Sequence, residues 1–252
     1  MVYNEENVRK GNERMRADAI IFDKDGTLID FDAFWVAVSH KALGIALEKF
    51  NMPSSLTDEI LSAFGVHDRV TSINGILCKG TYEQMGEIVY EALRRNGCEC
   101  DCAEVTGAVI GAYNESADAG EVKPTSPALA EVLSELKRKN KKLAVVTTDN
   151  ELITRKCLSA LQVEHLFDKI YTDDGVNPTK PDPFCALDFC ATYGIDVQNA
   201  VMVGDTLTDV RFAANAGISM VGLAKSEENR GILSEHTDTV ISDISELLHI
   251  LN

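Results

Sequence analysis

The chain has 252 residues, 45% of them hydrophobic, which is enough to bury a sizeable core and excludes wholesale disorder. Its 24 Lys and Arg against 40 Asp and Glu leave a net charge of −16, which argues against nucleic acid or an anionic membrane as the main partner. Seven cysteines form an odd set with no disulfide framework, pointing to reduced thiols and a cytoplasmic setting, and no apolar run approaches the ~20 residues of a membrane helix. Residues 1–16 read as a polar lead-in without a signal-peptide core.

The first strand is expected at Ala19–Phe22, a short apolar run suited to a buried parallel sheet. It ends at Asp23-Lys24-Asp25-Gly26-Thr27-Leu28. If the chain stays extended there, a period of two aims Asp23 and Asp25 the same way. Gly26 permits a sharp turn. From Asp32, a candidate helix cap, the apolar spacing becomes helical through Phe50. A second helix is expected after Ser55, and a clearly amphipathic one over Thr81–Arg95. A further helix is expected over Ala103–Ala119, while Arg69–Gly80 is ambiguous. Residues 32–120 therefore read as an all-helical block.

Alternation returns after Glu121. Ser126-Pro127 reads as a helix start, and Leu143–Val146 as a strand ending at Thr147-Thr148-Asp149-Asn150. Helix 152–161, strand 169–171, helix 183–193, strand 200–203, helix 210–216, strand 219–222 and a last strand and helix at 239–251 follow. Such alternation implies an α/β fold, a Rossmann-like parallel sheet, with the helical block inserted after its first strand. Residues 1–31 and 121–252 form the expected core, and residues 32–120 the insertion. Ligands of such sheets lie outside the carboxyl ends of the strands. Asp23, Thr147 and Asp205 all fall at expected strand ends.

Asp23 and Asp25, Thr147, Lys180, and Asp205 with Asp209 form a candidate constellation. Carboxylates suit a hard divalent cation, Mg²⁺ in particular, and a carboxylate is also a possible nucleophile toward phosphorus. Lys180 and a Thr147 hydroxyl would complement a phosphoryl group. Each has a plain alternative: Asp-Gly as a solvated turn, Thr147 as a β-former, Lys180-Pro181-Asp182 as an exposed turn, Gly204-Asp205-Thr206 as a helix cap. Cys98, Cys100 and Cys102 read as thiols at a helix junction, without a second Cys or His cluster to complete a soft-metal site. The five histidines are scattered.

The motifs resemble those of haloacid dehalogenase superfamily phosphatases, near the phosphoglycolate phosphatase branch. They are Phe22-Asp23-Lys24-Asp25-Gly26-Thr27-Leu28, the strand ending at Thr147, Lys180-Pro181-Asp182-Pro183, and Val203-Gly204-Asp205-Thr206-Leu207-Thr208-Asp209. The likeness covers Ala17 to Asn252, and the helical block sits where this family inserts a cap domain. The resemblance implies Asp23 as nucleophile and metal ligand. It implies Asp25 as general acid and base, with its backbone carbonyl on the metal. Thr147 would bind the phosphate and Lys180 would neutralise it. Asp205 would ligate Mg²⁺ directly, and Asp209 through water or from behind. Two departures stand out: Thr148-Asp149 where Asn often follows the threonine, and Thr179 where Gly often precedes the lysine. The expected activity is hydrolysis of a small phosphorylated metabolite, phosphoglycolate-like or a sugar phosphate, through an aspartyl-phosphate. Thr148 and the block's His40, Arg69 and Lys79 are candidate substrate contacts. The alternatives are a phosphomutase of the β-phosphoglucomutase type, a dehalogenase, and a non-catalytic binding protein. A monomer or homodimer is expected, with no nucleic-acid or membrane partner.

Overall fold

The computed structural model describes residues 14–72 and 74–252, so most of the lead-in, residues 1–13, lies outside the described residues. In chain order the elements are β1 (Ala19–Phe22), α1 (Phe31–Lys49), α2 (Leu56–Ala63), β2 (Val66–His67), β3 (Val70–Thr71), α3 (Ile76–Lys79), α4 (Tyr82–Arg95) and α5 (Cys102–Ser116). They continue with α6 (Leu129–Arg138), β4 (Lys142–Val146), α7 (Glu151–Ala160), β5 (Lys169–Tyr171), α8 (Phe184–Tyr193), β6 (Ala200–Gly204), α9 (Leu207–Ala216), β7 (Ser219–Leu223), α10 (Glu227–Ser234), β8 (Val240–Ile241) and α11 (Leu247–Ile250). Two compact units result: one holds the chain up to Leu28 together with Pro124–Asn252, the other Ile29–Lys123.

The first unit is built on a six-stranded sheet in the order β5-β4-β1-β6-β7-β8, parallel throughout. All four β1 residues are fully buried, as a central strand covered on both faces requires. Ala19 and Ile21 share one face with Ala144, Val146 and Met202, against Phe189 of α8 and Phe212 of α9. Their alternates Ile20, Phe22, Val145 and Val203 are equally buried. Phe22, Val145 and Val203 are register partners, so the segments after β4, β1 and β6 leave the sheet side by side. The end of the lead-in is not loose: Met15 bridges to Leu251 and donates its N–H to the Ile250 carbonyl.

Several boundaries differ from expectation for local reasons. The cap of α1 is Asp30, whose carboxylate accepts from Ala33 N–H at 2.9 Å, whereas Asp32 accepts from Thr71 N–H. Ser126-Pro127 do not begin α6: Ser126 Oγ accepts from Ala128 N–H and closes a turn ahead of it. Helix α10 has no counterpart in the expected elements. It starts at Ser226, whose hydroxyl accepts from Asn229 N–H, with Glu227 and Glu228 in the first turn.

The second unit is mostly helical but also holds an antiparallel hairpin, β2 with β3. Its two turn residues, Asp68 and Arg69, both adopt positive φ, 51° and 64°, as a primed hairpin turn requires. Neither is Gly or Asn, so composition gave no turn signal there. Thr81 and Gln84 form a capping box that starts α4. Phe34, Val38, Leu43, Leu93, Val109 and Tyr113 are buried within this unit, and the Tyr113 hydroxyl donates to Ser39 Oγ at 2.7 Å.

Helices α4 and α5 pack closely because Gly86 has no side chain. A Cβ there would lie 2.4 Å from Thr106 Oγ1 and 2.8 Å from Thr106 Cα. Gly86→Ala raises helix propensity by about 1 kcal/mol, but overpacking against backbone costs about 1–3 kcal/mol. The clash should win: thermal denaturation should show a lower Tm for Gly86→Ala, and a higher Tm would contradict this account of the α4–α5 contact.

Candidate active site

The site is built on the carboxyl ends of β1 and β6, within the first unit. Asp23 follows β1 directly and its N–H donates to the Val203 carbonyl at 2.9 Å, which keeps it tied to β6. Lys180 precedes a cis Pro181. Its ammonium is buried and donates to Asp23 Oδ1 at 2.5 Å and to Asp209 Oδ1 at 2.7 Å. Asp209 is held by helix-start chemistry. Thr206 and Asp209 form a capping box at the head of α9, in which Asp209 Oδ2 accepts from Thr206 N–H at 3.0 Å and from its hydroxyl at 2.7 Å. The plain reading of Gly204-Asp205-Thr206 as a helix cap is therefore correct for Thr206, and the cap itself aims Asp209 at Lys180.

Asp205 lies beside this pair. Thr27, fully buried, donates its hydroxyl to Asp205 Oδ1 at 3.0 Å, and Asn229 of α10 donates to the Asp205 carbonyl at 3.1 Å. Gly26 adopts φ +80°, and a Cβ on it would fall 2.2 Å from Asp205 Oδ2, so both the turn and the approach exclude a side chain.

Oxygens of Asp23, Asp205 and Asp209 lie within 4.8 Å of one another, the only such metal-ligand-type cluster among the described residues. Three carboxylates against one ammonium leave a formal charge of −2 (1 − 3). Burial pushes the Asp23 carboxyl up to about 7, with Lys180 opposing and Asp209 and Asp25 adding to the rise. Burial, then Asp23 and Asp209, hold Asp205 well above the carboxylate range. For Lys180 burial favours the neutral amine, but Asp209 and Asp23 outweigh it and keep the ammonium. An all-oxygen, net-dianionic, buried cluster fits a hard divalent cation such as Mg²⁺.

Asp23 and Asp25 pair with different ammonium groups. The chain bends at Lys24, whose carbonyl accepts from Leu28 N–H, so the extended alternation stops. The Asp25 carboxylate meets the fully buried Lys24 ammonium at 2.7 and 2.8 Å. Asp149 Oδ2 lies 3.0 Å from the same nitrogen. Burial favours neutral Lys24, yet Asp25 and Asp149 outweigh it and hold the charge. Burial raises Asp149 above its ordinary range.

Thr147 is buried at the end of β4, its hydroxyl accepting from Asp149 N–H at 3.2 Å, while Thr148 is exposed. His40 on α1, Arg69 in the hairpin turn and Lys79 at the end of α3 are exposed parts of the second unit, and Lys79 donates to Asn74. Cys98, Cys100 and Cys102 are free thiols, as are the other four cysteines. Lys24, Thr27, Asp149 and Asn229 were not among the candidates from sequence. Lys24 and Thr27 lie inside the first motif and Asp149 directly follows Thr148, whereas Asn229 carried no signal.

A family model described as haloacid dehalogenase-like hydrolase matches residues 17–217. A phosphoglycolate phosphatase of Haemophilus influenzae (strain 86-028NP) is 28% identical over 233 residues, covering 91% of this chain and 96% of that protein. The pyrophosphatase PpaX of Bacillus velezensis is 28% identical over 242 residues, covering 93% and 96%. A solved structure described as a predicted phosphoglycolate phosphatase from Haemophilus somnus has a TM-score of 0.65 at 24% identity, covering 92% of this chain and 96% of that one, a likeness of fold.

The raised Asp23 carboxyl gives a linkage with a definite sign. Its folded value, about 7, exceeds the ordinary 3.8, so between these values the unfolded chain has lost a proton that the folded chain keeps. This group therefore costs metal-free protein stability as pH rises through that window. Cation binding needs the deprotonated ligands. The rise in Tm on adding Mg²⁺ should be larger at about pH 7.5 than at about pH 5, and reduced by Asp205→Asn; a pH-independent rise would contradict the cluster's assignment.

Proposed function

Since the chain belongs to the haloacid dehalogenase-like hydrolase family, we propose that it is a Mg²⁺-dependent phosphatase acting on a small phosphorylated metabolite. The observation that carries this reading is the buried meeting of Asp23, Asp205 and Asp209 with Lys180 at the carboxyl edge of the sheet. Full-length relatives named as a phosphoglycolate phosphatase and a pyrophosphatase support phosphoryl transfer to water, and favour a compact, strongly anionic substrate of the phosphoglycolate kind.

In this reading Asp23 attacks phosphorus. A new bond from Asp23 to phosphorus forms as the bond from phosphorus to the leaving oxygen breaks, and Asp25 gives that oxygen its proton. Asp25 then takes a proton from water, whose oxygen attacks the aspartyl-phosphate, freeing inorganic phosphate and restoring Asp23. Lys180 offsets the charge of Asp23 and of the phosphoryl oxygens, and the Thr147 hydroxyl is placed to hydrogen-bond them. Asp23, Asp205 and the Asp25 carbonyl would hold Mg²⁺, with Asp209 behind, and the cation supplies positive charge beside the transferring group. We further propose that the helical unit is a substrate-selecting cap, with Thr148 of the core and His40, Arg69 and Lys79 of the cap as contacts. Its support is its place in the chain, inserted between β1 and the rest of the sheet. Seven free thiols suit a reducing, cytoplasmic setting.

Asp23→Asn should abolish p-nitrophenyl phosphate hydrolysis in a folded protein; appreciable residual turnover would remove Asp23 as nucleophile. Excess chelator should stop the wild-type enzyme, Mg²⁺ should restore it, and Ca²⁺ should inhibit because its looser shell misplaces the in-line geometry. Full activity in chelator would remove the metal from the reading. Replacing His40, Arg69 and Lys79 together should reorder the preference among phosphorylated metabolites more than it changes p-nitrophenyl phosphate hydrolysis, and an unchanged order would take them out of the site.

A further inference from the structure

Lys24, Asp25 and Asp149 form a second charged group, apart from the pairing of Lys180 with Asp23 and Asp209. Its three side chains are graded in exposure: 0% for Lys24, 9% for Asp149 and 17% for Asp25. A buried ammonium needs one carboxylate for neutrality, and here it has two, leaving the group at −1 (1 − 2). The second partner is also tied to the backbone. Asp149 directly precedes Asn150, the cap of α7, and its Oδ1 accepts from Asn150 N–H at 2.8 Å while Oδ2 faces Lys24. Asp25, by contrast, is the member of the three most open to solvent, and both of its oxygens lie on the ammonium, at 2.8 and 2.7 Å.

We propose that Lys24, fixed by Asp149, is a positioning residue that holds the Asp25 carboxyl in its resting orientation for proton transfer. The proposal rests on the phosphatase reading and adds to it the residues that place its acid and base. The start of α7 fixes Asp149, Asp149 fixes the ammonium, and the ammonium fixes Asp25. When Asp25 turns to the leaving oxygen, Lys24 keeps a partner in Asp149 and stays in place to receive Asp25 again. A single Lys24–Asp25 pair would lose its buried compensation at each such excursion. After the bend at Lys24, Asp25 has Lys24 as its ammonium partner, whereas Asp23 has Lys180.

The test uses Lys24→Met and the double variant Lys24→Met with Asp149→Asn. The double change removes one positive and one negative charge, and the asparagine carbonyl still accepts from Asn150 N–H, so it carries the test if the single variant does not fold. Single-turnover rates are measured with an alkyl phosphate and with p-nitrophenyl phosphate, whose leaving group needs no proton. The alkyl phosphate should slow by about 10²-fold, p-nitrophenyl phosphate by less than about threefold, with KM for both within about twofold. A crystal structure of the variant should show the Asp25 carboxylate turned away from its wild-type orientation. Equal losses for both substrates, no loss, or an unmoved Asp25 overturn the proposal while leaving the phosphatase reading standing. A wild-type protein that hydrolyses neither substrate removes the reading and the proposal together.

Discussion

Everything at the site depends on one ammonium that must serve two buried carboxylates. Lys180 donates to both Asp23 and Asp209, so one positive charge is shared between two buried carboxyl groups. Satisfying that demand requires three distant segments to meet: the end of β1, the loop after β5, and the head of α9. A parallel sheet brings two of them together by construction, since strand ends of the same polarity line up along one edge. The third arrives because the loop after β5 carries Lys180 back to that edge. The compensation remains incomplete, since one ammonium stands against three carboxyl groups.

Much of this was legible in the amino-acid order. The buried strand before Asp23 and the capping spacing from Thr206 to Asp209 are local signals, and local signals survive in sequence. So does the alternation of short apolar runs with helical stripes, which led to the parallel sheet. The pairing of Asp25 with Lys24 was not legible, because side-chain alternation holds only while the backbone is extended, and the bend at Lys24 ends it. Helix α10 was hidden by its short, polar composition, although Ser226 with two glutamates after it is a start signal. The hairpin at Asp68-Arg69 lacked the glycine or asparagine that normally reports positive φ. Lys24 and Asp149 stand 125 positions apart, and no periodicity within either segment announces that the two charges meet.

The two charged groups at the site are built differently. In the Lys180 group, Asp23, Lys180 and Asp209 are buried and Asp205 is half-buried. In the Lys24 group the ammonium is fully buried, and Asp25 is more open to solvent than Asp149.

The interruption of the core by Ile29–Lys123 has a consequence for biosynthesis. β1 leaves the ribosome early, yet its neighbours in the sheet are β4 and β6, which end at Val146 and Gly204. This buried, wholly apolar strand must therefore wait, unpaired, while the 124 residues from Phe22 to Val146 (146 − 22) are synthesised. The intervening helices, contiguous in sequence and rich in local contacts, can close on themselves during that interval. The inserted unit then serves as a spacer in time, reaching its own structure before the sheet can begin to assemble.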